Sequence, residues 1–324
     1  MSDMIEKIKR KIKDFLLKFG IRMLSEREYR ELRLQRNSAI KKMTGEFNKI
    51  DFITGLSSVI FSKDRAMQLH LLLESFDKAV NCEVSIFVLY KASNRSHLES
   101  YEELISLSRY DNLNVHFVGE LYDFKEDLLN ILKKIETDKL FFLTDDDVFI
   151  REWDTNAVLD IDASESILSL RHGLNIVYSY NKNRSISQPK TTLAGKNIKI
   201  YKFDWLKGLG EWSDPLSVDG HIYSTAEILN ISLISDFEAP NTYEAALKTY
   251  YDIFPQSGLC YSESIIVNLP INIVQDEVKN KSGDVSVDYL LDHWIKGYKI
   301  DLSDLSNVSN SSTHEERKIK FILR

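Results

Sequence analysis

The sequence predicts an α/β protein built on a mostly parallel sheet with helices on both faces. Three observations predict it. Strand-like apolar runs alternate four times with amphipathic helical stretches between residues 57 and 144, the pattern left by right-handed crossovers between parallel strands. The fourth run, residues 140–143, stops abruptly at Asp145, Asp146 and Asp147, and an apolar run that short reads as a buried strand. Composition agrees. Of 324 residues 43% are hydrophobic, with only 5 Pro and 12 Gly, enough for one large or two modest domains with a real core and too ordered for a disordered chain.

Each element has its own signal. In residues 3–23, Ile5, Ile8, Ile12, Phe15, Leu16, Phe19 and Met23 recur at helical spacing while basic residues fill much of the rest, so an amphipathic helix is expected. Residues 1–22 carry a net charge of +4 and the remainder sums to −11. Residues 25–43 continue helical almost without an apolar stripe, as a solvated connector. The globular part should begin near Phe47–Phe52. Strands are then expected at 57–62, 83–90, 114–119 and 139–144, with helices at 65–76, 97–109 and 124–135. Beyond the acids the alternation becomes irregular. A strand at 167–170 leads into Arg171, residues 181–200 read as a mobile polar loop, and Trp205, Gly208, Gly210 and Trp212 punctuate a further loop. A helix should start near Asn241, a strand-like stretch at 265–273 crosses Pro270, a last helix covers 287–296, and 303–313 is a loose polar tail.

Several functional classes are excluded or disfavoured. A net charge of −7 argues against a general nucleic-acid binder. Cys82 and Cys260 have no metal-like spacing and are expected as reduced thiols in a cytoplasmic setting. No apolar run approaches the roughly 20 residues of a membrane span, and the charged N-terminus is unlike a secretory signal. No internal repeat is present.

The acid triplet carries the chemistry. Three adjacent carboxylates at a strand end repel one another unless a cation sits among them, and a hard divalent ion would in turn hold a phosphate. In parallel α/β sheets ligands bind beyond the carboxyl ends of the strands, which is where the triplet falls. The plain alternative is an acidic turn capping the next helix. The first strand-to-helix turn, Ser62, Lys63, Asp64 and Arg65, contains no glycine, and there is no P-loop. A dinucleotide fingerprint is therefore absent, and a bound diphosphate must be neutralised by metal and side chains.

In this order the segments SVIFSKDRAMQL (58–69), FFLTDDDVF (141–149), SLRHGLNI (169–176), DPLSVDGHIY (214–223), APNTYE (239–244), LPINIVQDEVKN (269–280) and IKGYKIDL (295–302) resemble the GT-A (Rossmann-like) class of nucleotide-sugar-dependent glycosyltransferases. More narrowly, they are similar to the bacterial family 2-like enzymes that build surface polysaccharides. The resemblance spans roughly residues 56–302. It implies an N-terminal helical segment over 1–48, a glycosyltransferase domain over 49–302 with a nucleotide-sugar half (49–150) and an acceptor half (151–302), and a polar tail over 303–324. It further implies that Asp145 and Asp147 form a DxD motif touching the ribose and holding Mn²⁺ or Mg²⁺ on the diphosphate, with Asp147 the direct ligand. Lys63, Asp64 and Arg65 would meet base and ribose, and Arg171 would help hold the donor. His221 would complete the metal shell, with His293 second.

The Glu-Asp pair of the acceptor region is missing in plain form, which leaves the catalytic base open between Asp219 and Glu244. Each has an ordinary alternative: Glu244 closing a capping box from Asn241, Asp219 a turn residue before Gly220, His221 a core histidine, and Trp205 and Trp212 core anchors. The implied partners are a nucleotide-sugar donor and a glycan or lipid-linked saccharide acceptor, with no nucleic acid. The helix at 3–23 would hold the enzyme peripherally on the inner face of the cytoplasmic membrane, near anionic headgroups; its stripe could instead pack on protein, including a second subunit of a homo-oligomer. Competing readings are a nucleotidyltransferase, a phosphatase, or a non-catalytic glycan- or partner-binding module.

Overall fold

The computed structural model describes residues 52–194, 199–272, 283, 285–305 and 308–324, together with 28, 31, 32, 35, 36, 38–40 and 42. The chain divides into two compact units, Met1–Glu46 and Phe47–Arg324. In the first, the described residues are all helical, where the connector helix was expected. The amphipathic stretch 3–23 lies outside the described residues.

In the second unit, β1 (Ile53–Lys63), α1 (Ala66–Ala79), β2 (Val84–Lys91), α2 (Arg95–Leu107), β3 (Leu113–Gly119), α3 (Phe124–Leu132) and β4 (Thr137–Thr144) follow the expected alternation. Asn94 and Asp123 start α2 and α3 by accepting from the backbone N–H three residues on, a standard N-cap. The chain continues through β5 (Asp147–Phe149), α4 (Asn156–Leu159), β6 (Ser166–Gly173), β7 (Tyr178–Ser179), β8 (Arg184–Ser185), β9 (Thr192–Leu193) and β10 (Ile200–Asp204). Two 3₁₀ turns, Trp205–Lys207 and Gly210–Ser213, lead to β11 (His221–Ser224), α5 (Thr225–Ile234) and α6 (Pro240–Lys248). Last come β12 (Ser257–Tyr261), β13 (Ile266–Asn268), α7 (Val287–Ile295), β14 (Tyr298–Ile300) and β15 (Phe321–Leu323).

The main sheet has nine strands in the order β3-β2-β1-β4-β11-β6-β12-β10-β9. Only β11 and β10 run against the rest, so the mostly parallel sheet is as expected. Helices cover both faces, and two adjacent phenylalanines of β4 show it. Phe141 meets Phe76 of α1 at 5.9 Å, whereas Phe142 points the other way to Tyr243 of α6 at 5.4 Å, as strand alternation demands. Phe76 also stacks on Phe149 of β5 at 4.2 Å, clamping the strand that follows the acid triplet. Truncating so buried a ring to alanine costs about 3–5 kcal/mol.

Three sequence expectations are corrected here. Residues 181–200 are not simply a mobile loop: β8 pairs with β7, and β9 with β10. The strand around 265–273 stops at Asn268, two residues before Pro270, which has no N–H to give a ladder. The stretch read as a polar tail is built into the fold. Residues 310–314 run beside β13, with Asn268 N–H donating to the Thr313 carbonyl and Glu315 N–H to that of Asn268, and β15 pairs with β14. Its polar side chains are consumed internally; Asn310, for example, bonds Ser264 and Asn175.

Candidate active site

The ends of β1 and β4 are held together first. Asp145 N–H donates to the Phe61 carbonyl. One Asp145 oxygen accepts from Ser62 Oγ at 2.8 Å and Lys63 N–H at 3.2 Å, and the other from Arg65 Nη1 at 2.9 Å. Arg65 reaches Asp146 at 3.3 Å with the same nitrogen, and its other Nη bonds the Asn272 carbonyl. Burial pushes Asp145 up to about 6 against the pull of Arg65. Asp64 adopts a left-handed φ of 58°, and its carboxylate is tied to Ser93 N–H and Oγ at 2.7 and 2.6 Å. It joins two loops and does not line the cavity, unlike Lys63 and Arg65.

Asp146 and Asp147 part ways where the turn made by Asp145 and Asp146 gives way to β5, which Asp147 begins. Asp146 opens into the cavity, whereas Asp147 is buried beneath it, accepting from Thr144 N–H at 3.0 Å and Asn268 Nδ2 at 3.3 Å. Asn268 also donates to Asp146 at 2.9 Å. Burial, then the charges of Asp219 and Asp146, raise Asp147 well above the carboxylate range. The expectation that Asp147 meets a ligand directly is therefore not supported by its placement; Asp146 is the member of the triplet, with Asp145, that faces the cavity.

The second half supplies the opposite wall. Arg171, near the end of β6, pairs with Asp219 at 2.9 Å. The other Asp219 oxygen accepts from Thr144 Oγ1 at 3.1 Å, linking it to the triplet. Asp219 sits before Gly220, whose φ is +70° and whose Cβ position would lie 2.3 Å from Ile266, so only glycine makes this turn. Glu244 does not cap its helix. Thr242 Oγ1 accepts from Ala239 N–H instead, and Glu244 accepts from Val218 N–H at 3.1 Å and Ser217 Oγ at 3.2 Å. Lys248, one turn on, bonds both Glu244 and Asp214. The two candidate bases thus differ. Burial raises Asp219, with Glu244 adding to it against Arg171. For Glu244 burial is outweighed, chiefly by Lys248, and its pKa is held low.

His221 is not at the cavity. It shares a face of β11 with Tyr223 and is fully buried, 5.4 Å from the Trp205 ring and 5.6 Å from His172. Its Nδ1 donates to the Pro215 carbonyl at 2.8 Å, and Tyr223 Oη bonds the Pro215 and Ser217 carbonyls. The two side chains brace the turn that presents Asp219. The core reading of His221 holds, as it does for Trp205 and Trp212, both fully buried. His293 is spent on α7, donating to the Tyr289 carbonyl and packing on Phe321.

The histidine that does reach the cavity is His314, from the stretch read as a tail. Thr313 Oγ1 gives its single proton to Glu211 at 2.7 Å, so its 3.0 Å contact with His314 Nδ1 requires that nitrogen to donate. Burial and then Arg171 hold His314 below the usual histidine pKa. The imidazole is neutral, with its acceptor lone pair on Nε2. No sequence signal announced it. Lys248, four residues after Glu244 on a helix, could have been found.

These residues enclose a cavity of about 600 Å³ at the carboxyl ends of β1 and β4. Its lining carries eight carboxylates against five lysines and arginines, a balance that favours a ligand arriving with a cation. Among the described residues no three His, Cys, Asp or Glu side chains converge to cage an ion. The donor set still fits Mg²⁺ or Mn²⁺. Such ions take one or two carboxylates and complete their shell with water and phosphate oxygens.

No protein-family model matches the chain, and no curated protein matches it. Among solved structures it is similar to S. aureus TarS 1-349, with 16% identity, coverage of 65% of this chain and 59% of that one, and a TM-score of 0.39. Against S. aureus TarS the values are 15%, 73%, 38% and 0.42. Against S. aureus TarS 1-349 in complex with UDP-GlcNAc they are 16%, 65%, 57% and 0.40. The chain thus spans less than two thirds of the length of each.

Proposed function

We propose that this chain is a metal-dependent glycosyltransferase that moves a sugar from a nucleoside diphosphate to a hydroxyl of a cell-surface glycan or lipid-linked saccharide. The observation that carries this reading is the cavity itself. Asp145 and Asp146 with Arg65 on one wall face Arg171, Asp219 and Glu244 on the other, at the carboxyl end of a mostly parallel sheet. Arg65 and Arg171 are placed to meet phosphate charge, and the Asp145–Asp146 edge would hold Mn²⁺ or Mg²⁺, which when bound stabilises the diphosphate leaving group. Asp219 is the base. It takes the acceptor hydroxyl's proton as the sugar–oxygen bond to the diphosphate breaks and the new glycosidic bond forms, the course of an inverting transfer. Lys63 and Lys91 close the donor end.

A phosphatase with a DxD nucleophile would carry it after the first strand, and here the acids follow the fourth. A nucleotidyltransferase would want glycines in the first loop, and a non-catalytic module would leave the costly buried carboxylates without a use. Among the described residues no helix is long and apolar enough to cross a membrane; the reading places the enzyme peripherally on the cytoplasmic membrane, with residues 3–23 as the anchor on anionic lipid and co-sedimentation with liposomes at low and high salt as its check. The central test is a thermal-shift screen with nucleotide sugars, with and without Mn²⁺, followed by transfer assays in EDTA. Stabilisation by nucleotide sugars of one base type, enhanced by the ion, is expected. No shift with any nucleotide would sink the glycosyltransferase, and full activity in EDTA would sink the metal.

A further inference from the structure

The far edge of the sheet carries a feature that the site does not use. Between residues 182 and 207 there are seven Lys or Arg residues and a single acid, Asp204, in a chain whose total charge is −7. Lys190, Lys199 and Lys202 are exposed and make no ion pair among the described residues; Lys207 pairs only with Asp204, at 3.2 Å. Set among them are Leu206 and Leu209, exposed to 63% and 64%.

These leucines are not exposed because their loop is loose. Trp205 and Trp212, on either side of Leu206 and Leu209, are fully buried and lie 4.5 and 5.0 Å from the Phe203 ring. Trp212 Nε1 donates to the Ile176 carbonyl, and Gly208 packs so tightly on Trp212 that a Cβ there would lie 1.9 Å from its carbonyl oxygen. The loop also has basic neighbours: the Cβ position of Gly210 lies 3.4 Å from Ile186, which brings the 182–190 stretch, with Lys182, Arg184 and Lys190, beside Leu209. The chain spends two tryptophans to hold apolar side chains in water among lysines.

We infer that this edge of the catalytic unit docks on an anionic lipid surface, its leucines entering the acyl boundary and its lysines lying at the headgroups. Rigid apolar projections ringed by cations suit an interface that is apolar inside and negative outside. A soluble polyanion would satisfy the lysines and leave the leucines in water, where exposed apolar groups of this kind usually mark a membrane or partner. The consequence is positional. The 3₁₀ turn Gly210–Ser213 that follows Leu209 carries Glu211, a wall of the cavity, so docking this loop sets the cavity rim near the bilayer. The inference stands apart from the glycosyl-transfer reading and from the helix at 3–23.

The test uses the full chain with Cys82→Ser and Leu209→Cys, labelled with a polarity-sensitive fluorophore; Cys260 is buried and stays unlabelled. Vesicles of phosphatidylcholine alone and with phosphatidylglycerol are compared, with co-sedimentation measured in parallel. A blue shift and brightening on phosphatidylglycerol vesicles, absent on neutral ones, is expected. Arg184→Glu, Lys190→Glu and Lys207→Glu combined should weaken that binding by on the order of a hundredfold. Protein that sediments with vesicles while the probe at 209 stays water-like would show attachment through another surface and overturn the inference. So would failure to bind at all, or an equal shift with soluble polyphosphate. If the triple variant fails to fold, the probe at 209 decides alone.

Discussion

The two walls of the cavity use the same chemical unit, an arginine paired with an aspartate, in opposite ways. On the wall built from β1 and β4, Arg65 and Asp145 are packed between adjacent parallel strands, and both Asp145 oxygens are met by donors from the neighbouring strand end. On the wall built from β6, β11 and α6, Arg171 and Asp219 come from antiparallel neighbours and belong to a chain of charges running through Ser217 to Glu244 and Lys248. The first pair is a fixture that sets the shape of the strand ends. The second is a titratable network open to the cavity. A buried pair sealed by extra hydrogen bonds holds geometry, whereas one embedded among competing carboxylates can exchange a proton.

The sharpest way to break this contrast is to remove charge without removing shape. Asp219→Asn should lower transfer by about 10²–10⁴-fold, the usual contribution of a general base, while nucleotide binding persists. Glu244→Gln, at a site already held by Lys248 and backbone N–H, should cost far less. Steady-state and single-turnover rates distinguish them. Equal and mild losses would mean that neither is the base and would favour a retaining mechanism.

Stability should show the opposite ranking of the walls. Arg65→Ala leaves Asp145 and its sealed surroundings without a counter-charge, and breaking such a buried pair costs about 3–5 kcal/mol. Arg171→Ala should cost less, because Asp219 borders the cavity and can meet water or take up a proton. Urea unfolding of both variants measures the difference. If Arg171→Ala is the more destabilising, the first wall is not the fixture described here.

The pH dependence sharpens the same point. Asp145 is pushed up to about 6, and Asp147 and Asp219 are also raised, so the folded state holds protons that the unfolded state has released. Their stabilising contribution is full below the ordinary carboxylate range near 4; that of Asp145 is lost as pH rises through about 6, and those of Asp147 and Asp219 as pH rises through their own raised values. Other groups titrate in that window with the opposite sign, His70 among them. The measure is therefore the difference between wild type and Asp147→Asn in melting temperature from pH 4.5 to 7.5. That difference should shift in favour of the variant as pH rises, because the wild type alone must then give up the proton that burial holds on Asp147. A gap that does not change with pH would remove the carboxyl cluster as its cause.

Sequence reading reached the two walls unequally, and the reason is physical. Along β1 to β4 a crossover helix joins each strand to the next, so apolar spacing reports the architecture and the strand ends report the site; Asp145 could be named from pattern alone, and Lys63 and Arg65 through the resemblance. On the other wall β11 is wedged between β4 and β6, and β12 separates β6 from β10, so neighbours in space are far apart in the chain. Arg171, Asp219 and Glu244 were found through resemblance. His221 was misplaced because a four-residue strand gives no hint of which face is core. Residues 310–314 were misread because a run of Ser, Asn and Thr looks the same in a tail as in a segment where the side chains of Asn310, Ser312 and Thr313 bond the fold.

That segment supports the last and smallest prediction. Thr313 is the joint between the walls' shared rim and the C-terminal stretch, passing one hydrogen bond to Glu211 and receiving one from His314. Thr313→Val keeps the shape and removes both. The loss of stability should be about 1 kcal/mol, the net worth of a hydrogen bond or two with partners that can turn to water. The imidazole should then be free to rotate, and transfer should fall less than tenfold, mainly through KM. A hundredfold fall in kcat would mean that the orientation of His314 matters to the chemical step, and the second wall would then hold two titratable partners for the acceptor rather than one. No change in either quantity would make the Glu211–Thr313–His314 chain a packing detail, and would return His314 to the status of a neutral wall of the cavity.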